Sequence, residues 1–153
     1  MLGISGYAHV GITVSDIDRS ADWYEELFGW VRARDLDCPA WRKIVFEDSP
    51  NKIVLSLTHH KDKSSNDQFT ETRTGLDHLS FTVPSFRELE AWKDRLDERD
   101  IQNSGVNETK AGAVVVFRDP DNIQLEVFAG RDGVDDDYRP TDKWLFAFPP
   151  VRP

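Results

Sequence analysis

The sequence predicts an α+β fold made of two β-α-β-β-β modules in tandem. Three observations predict it: an internal repeat, a change from strand to helix periodicity at the start of each half, and a matching Asp-led turn late in each half. The repeat emerges when the chain is slid along itself. At an offset of 69 residues, His9 falls on His78, Thr13 on Thr82, Val14 on Val83, Trp23 on Trp92 and Leu27 on Leu96. At an offset of 71, Phe46 falls on Phe117, Asp48 on Asp119 and Asn51 on Asn122. The identities keep their order and occupy equivalent points of one pattern, as a duplicated unit requires.

Residues 7–14 alternate with period two, placing Val10, Ile12 and Val14 on one face and His9, Gly11 and Thr13 on the other. Ser15 followed by Asp18 resembles a capping box, and a helix is expected from the spacing of Ile17, Ala21, Tyr24 and Phe28, ending at Gly29. Strands are expected at 30–36, 40–47 and 52–58, separated by Asp37-Cys38-Pro39 and Asp48-Ser49-Pro50-Asn51. The second half repeats this. Leu79, Phe81 and Val83 form the apolar face of strand 76–83, and His78, Ser80 and Thr82 the polar one. Ser85 with Glu88 caps a helix whose apolar stripe runs through Phe86, Leu89, Trp92 or Lys93, and Leu96. Strands follow at 102–107, 113–118 and 123–128, the last after Asp119-Pro120-Asp121-Asn122. The resulting division is a first module at 1–60, a polar linker at 61–75, a second module at 76–130 and an extension at 131–153 with an aromatic stretch from Trp144 to Phe148.

Composition narrows the function classes. A formal charge of −9 argues against nucleic acid and anionic membrane as partners, because both need a basic face. No apolar run approaches the roughly 20 residues of a membrane span, and residues 1–7 lack the features of a signal peptide. Cys38 is the single cysteine, so no intramolecular disulfide forms, which fits a reducing cytoplasm. No phosphate-binding glycine loop, nucleophile elbow or Cys–His pair is present.

The polar strand faces carry the chemistry. His9 and His78 point away from the helix-facing side at repeat-equivalent positions. In strand 123–128, Ile123, Leu125 and Val127 face the helix, so Gln124, Glu126 and Phe128 face the concave side. A lone strand histidine is usually a surface or satisfied core residue, and a strand glutamate is usually solvated. Two equivalent histidines with a carboxylate in phase make a facial triad for Fe(II), Mn(II), Co(II), Ni(II) or Zn(II), with open coordination positions. His60 shares the phase of Ser56 and Thr58, and is read as a fourth metal ligand, a base at the rim or an exposed strand end. Thr13, Thr82 and Gln124 are the expected substrate contacts.

The segments from His9 to Asp16, Trp23-Tyr24, Leu27-Phe28-Gly29, Gly75 to Leu79 and Phe117 to Glu126 resemble the vicinal oxygen chelate superfamily. This is the group of glyoxalase I, bleomycin-resistance proteins, fosfomycin-resistance enzymes and extradiol dioxygenases. The resemblance spans residues 5–130. It is most specific at Asp-Pro-Asp-Asn, where Asn122 replaces the usual glycine and can adopt the same left-handed conformation. It implies an eight-stranded, cupped mixed sheet with helices outside, and a divalent metal on His9, His78 and Glu126. It also implies a small oxygen-bearing organic substrate chelated to that metal, and a homodimer. One departure stands out: the fourth group of glyoxalase I falls near Ser56, which is neither a base nor a good ligand. The pattern therefore favours a three-ligand enzyme of the dioxygenase, lyase or isomerase, or fosfomycin-transferase type over glyoxalase I. The competing reading is a metal-free, bleomycin-resistance-like protein that sequesters a small molecule, for which Trp23, Trp30, Trp41, Trp92 and Trp144 would suit an aromatic pocket.

Overall fold

The structure is a computed structural model that describes residues 3–4, 6–62 and 67–131. It falls into two compact units, one reaching to Phe69 and including Asp119–Asn122, the other formed by Thr70–Arg118 and the chain from Ile123. The extension expected at 131–153 lies, apart from Arg131, outside the described residues, as do 63–66 of the expected linker.

The first repeat contains β1 (Val10–Thr13), α1 (Ile17–Phe28), β2 (Val31–Asp37), β3 (Trp41–Asp48) and β4 (Ile53–His60). The second contains β5 (Leu79–Val83), α2 (Phe86–Asp97), β6 (Asn107–Glu108), β7 (Gly112–Arg118) and β8 (Gln124–Gly130). The strands form two four-stranded mixed sheets, ordered β1-β4-β3-β2 and β5-β8-β7-β6. In each, the first strand runs parallel to the last, and the remaining pairs are antiparallel. No described helix is long and apolar enough to cross a membrane.

Alternation decides which residues face the helix. In the first sheet Ile12, Ile44, Phe46, Leu55 and Leu57 are buried, and α1 adds Ala21, Tyr24 and Leu27. In the second, Val115, Phe117, Leu125 and Val127 are buried with Leu89 and Leu96 of α2. Each buried leucine, isoleucine, valine or phenylalanine among them contributes about 2 kcal/mol. Both helix ends follow local chemistry. Gly29 adopts φ 71 and closes α1 by donating its N–H to Glu25 O at 2.8 Å. Ser85 accepts from Glu88 N at 3.3 Å, as its capping pattern predicts.

Three local expectations are corrected. The α1 cap is Asp16, which accepts from Arg19 N, because the Ser15 hydroxyl is drawn instead to Asp121. The strand expected at 102–107 shrinks to Asn107–Glu108 plus an isolated bridge from Asn103 to Phe117. Asn103 and Ser104 capture nearby backbone groups with their side chains, and Gly105 takes φ 66, so an extended run is interrupted. Phe86, expected in the apolar stripe of α2, is exposed, while Leu89 and Leu96 of the same stripe are buried as expected.

Candidate functional site

Each sheet has one face against its helix and one open face. In the second unit the open face carries the carboxylate. Glu126 is paired in register with Ser80 of β5 and Val116 of β7. His78, one residue before β5, places its Nε2 3.7 Å from Glu126 Oε1. Its Nδ1 lies 2.6 Å from Asp77 Oδ1. With Nδ1 on the Asp77 side, Nε2 is the ring nitrogen that faces Glu126. Two donors bound to one ion at about 2.1 Å stand about 3 to 3.5 Å apart, so this pair is only slightly wider than a ligating pair.

Gln124 shares the open face, but its carbonyl oxygen accepts from Arg118 at 2.8 Å. Arg118 also grips Glu71 with two bonds, of 3.1 and 2.9 Å. The guanidinium's hydrogen bonds hold the Glu71 carboxyl down to about 2. Thr82 lies on β5 opposite Phe128 and is exposed.

In the first unit the register identifies the counterpart of Glu126. Ser56 pairs with Gly11 of β1 and Val45 of β3, as Glu126 pairs with Ser80 and Val116. Ser56 is buried, and a Cβ on Gly11 would stand 3.1 Å from its hydroxyl, so glycine there keeps the face open. A cavity of about 340 Å³ lies on this face. His9, Thr13 and His60 line it with Trp41, Lys43 and Thr58. The sequence reading offered Trp41 as one of five tryptophans for an aromatic pocket but missed Lys43, although both share the phase of Val45 on β3. It also missed Asp77, which directly precedes His78.

His78 and Glu126 are thus brought together in the second unit, while His9 and His60 line the cavity of the first. Among the described residues, no three His, Cys, Asp or Glu side chains form a group that could hold a metal ion. Of the three expected ligands, His78 and Glu126 are the two that approach each other at close to the separation of a ligating pair.

The turn that precedes β8 has a structural task of its own. Asp121 accepts from Ser15 N at 3.0 Å, from the Ser15 hydroxyl and from Arg19 at 2.9 Å. The Tyr24 hydroxyl donates to Asp119 at 3.1 Å. Burial first, and the Asp119 charge second, push the Tyr24 phenol well above its ordinary value. Asn122, at φ 67, closes the turn in the left-handed conformation expected of it.

Two βαβββ repeats, each a four-stranded mixed sheet with one helix, are the fold of vicinal-oxygen-chelate proteins. The sequence profile of the Glyoxalase/Bleomycin resistance protein/Dioxygenase superfamily matches residues 6–127, and the chain belongs to that superfamily. Such proteins bind small molecules, generally depend on a divalent metal and are commonly dimeric. The chain is similar to the trivalent organoarsenical cleaving enzyme of Bacillus sp. strain MD1, with 28% identity over 135 residues, 85% of this chain and 76% of that one. It is also similar to the Bacillus subtilis strain 168 protein named "Putative ring-cleaving dioxygenase MhqA", at 20% identity over 133 residues. That match covers 85% of this chain but only 42% of the longer relative. Among solved structures, a glyoxylase/bleomycin resistance protein/dioxygenase domain from Frankia sp. EAN1pec superposes with a TM-score of 0.78 at 36% identity. It covers 84% of this chain and 100% of that domain.

Proposed function

We propose that the protein is a divalent-metal-dependent enzyme acting on a small oxygen-bearing organic molecule, with His78, Glu126 and His9 as the metal's ligands. The observation that carries this reading is the approach of His78 Nε2 to within 3.7 Å of Glu126 Oε1 while Asp77 occupies Nδ1. His9 enters as the third ligand through its repeat equivalence to His78 and the superfamily resemblance. The metal, when bound, supplies Lewis acidity to neighbouring oxygens of the substrate. The protein's own residues do the rest. Asp77 fixes the tautomer and ring orientation of His78. Arg118 holds Gln124 in place on the carboxylate strand, two residues before Glu126. Thr13, Thr82 and Gln124 supply polar contacts to the substrate, and His60 stands at the rim of the first unit's cavity as the group for proton transfer.

Two curated relatives carry names of cleaving enzymes, so bond cleavage is the reaction class proposed first, ahead of isomerisation or epoxide opening. Ser56 at the position equivalent to Glu126 supports a three-ligand site over that of glyoxalase I. The proposed assembly is a homodimer. Protein purified without chelator should contain close to one equivalent of divalent metal by elemental analysis, and His78→Ala and Glu126→Ala should contain none. Loaded protein is then assayed for oxygen uptake with catechols and for organoarsenical cleavage. Metal-free wild-type protein, or mutants with unchanged metal, would overturn the reading in favour of a small-molecule binding protein.

A further inference from the structure

The first unit's cavity has a feature that metal binding does not use. Lys43 points its ammonium over the Trp41 ring, 5.3 Å from the centroid. Among the described residues, no carboxylate lies within ion-pair distance of it, although the chain carries a net charge of −9. Two neighbouring cations are neutralised: Arg42 pairs with Asp18 and Asp35, and Lys61 pairs with Asp37. Lys43 is half-buried, and its row across the sheet is completed by Thr58 and Thr13, two hydroxyls. The adjacent row pairs Trp41 with His60. A charge, two hydroxyls and an aromatic face therefore converge in one cavity of about 340 Å³, a size suited to a small molecule.

The second unit shows that this arrangement is not a by-product of the repeat. There the row equivalent to Lys43–Thr58–Thr13 is Val114–Phe128–Thr82. Trp41 is replaced by Gly112, whose absent Cβ would stand 2.7 Å from Phe128 Cζ. The space that is polar and open in one unit is filled by a phenyl ring in the other.

We infer that this cavity selects an aromatic oxyanion, with the carboxylate or equivalent group on Lys43, Thr13 and Thr58 and the ring against Trp41. Lys43 is then a specificity-determining residue for the substrate. The inference rests on the proposed metal enzyme only in sharing His9 at the cavity wall, so it is tested on metal-free protein, where loss of the metal reading leaves the outcome untouched. The probes are benzoate and benzamide, which share a shape and differ in charge. Tryptophan indole N–H signals are followed by NMR in ¹⁵N-labelled protein, with Trp41 assigned by Trp41→Phe. Benzoate should shift the Trp41 signal saturably and bind at least about tenfold more tightly than benzamide, the effect of one charge-assisted hydrogen bond. Lys43→Met should abolish that preference and Lys43→Arg should keep it, with the remaining indole signals reporting that both variants are folded. Equal binding of the two probes, an unshifted Trp41 signal, or a preference that survives Lys43→Met would overturn the inference.

Discussion

The two open faces differ far more than the two helix-facing layers. Against the helices, Phe46 and Phe117, Leu55 and Leu125, and Leu27 and Leu96 occupy equivalent, fully or almost fully buried positions. On the open faces, Ser56 stands opposite Glu126 in the repeat, Thr58 opposite Phe128, Lys43 opposite Val114 and Trp41 opposite Gly112. Packing tolerates little change of volume, so the buried layer keeps its character in both copies. An open face carries no such constraint. One copy can specialise in a carboxylate beside a histidine, and the other in a charged, aromatic cavity.

The largest effect expected from this comparison is in the shared layer. Phe46→Ala and Phe117→Ala should each cost about 3 to 5 kcal/mol in denaturant unfolding, and a large inequality between them would break the equivalence of the two cores. Gly112→Ala comes next, at about 3 kcal/mol. Its Cβ would stand 2.0 Å from Ala129 O, a backbone atom, so adding Phe128→Ala should not restore stability. The equivalent position in the first unit carries a whole tryptophan.

The turns provide a subtler contrast. Asp121→Ala removes the acceptor of Ser15 and Arg19 and should cost about 2 to 3 kcal/mol. Asp48→Ala, in the matching turn of the first repeat, removes only a bond from Asn51 and should stay within about 0.5 kcal/mol. The smallest effect is a pH dependence. Glu71 titrates at about 2 in the folded protein against an ordinary 4.5, because Arg118 favours its charged form. The folded state thus releases this proton more readily than the unfolded one. The stability it adds is complete above about 4.5 and is lost as the pH falls towards 2. Glu71→Gln should flatten the acid limb of a thermal-melting profile in that window, and an unchanged limb would remove the Arg118 pair from the account.

Most of the fold was legible because duplication displays each element twice: the strand and helix periods, Gly29, Ser85 and the Asp-led turns all carried local signals. What was not legible depended on partners distant in sequence. Ser15 lost its expected role in the helix cap to Asp121, 106 residues away. The strand expected from Gln102 gave way to the side-chain bonds of Asn103 and Ser104. For the site, alternation put Glu126 and His78 on polar faces, and the structure pairs them. Lys43 and Trp41 were equally in phase on their strand, but a lysine and a tryptophan carry no motif, and only the cavity shows that they converge.

The central claim is that the metal is held through Glu126 and His78, and that Ser56, which stands at the repeat-equivalent position of Glu126, takes no part. It is tested most directly by calorimetric titration of Mn(II) into metal-free wild type, Glu126→Ala, Asp77→Asn and Ser56→Ala. The account predicts close to one site in the wild type and a loss of affinity of more than about 100-fold in Glu126→Ala. It predicts a loss of about 10-fold in Asp77→Asn, the range for a group that orients a ligand, and no change in Ser56→Ala. Wild-type affinity retained in Glu126→Ala, or lost in Ser56→Ala, would contradict it.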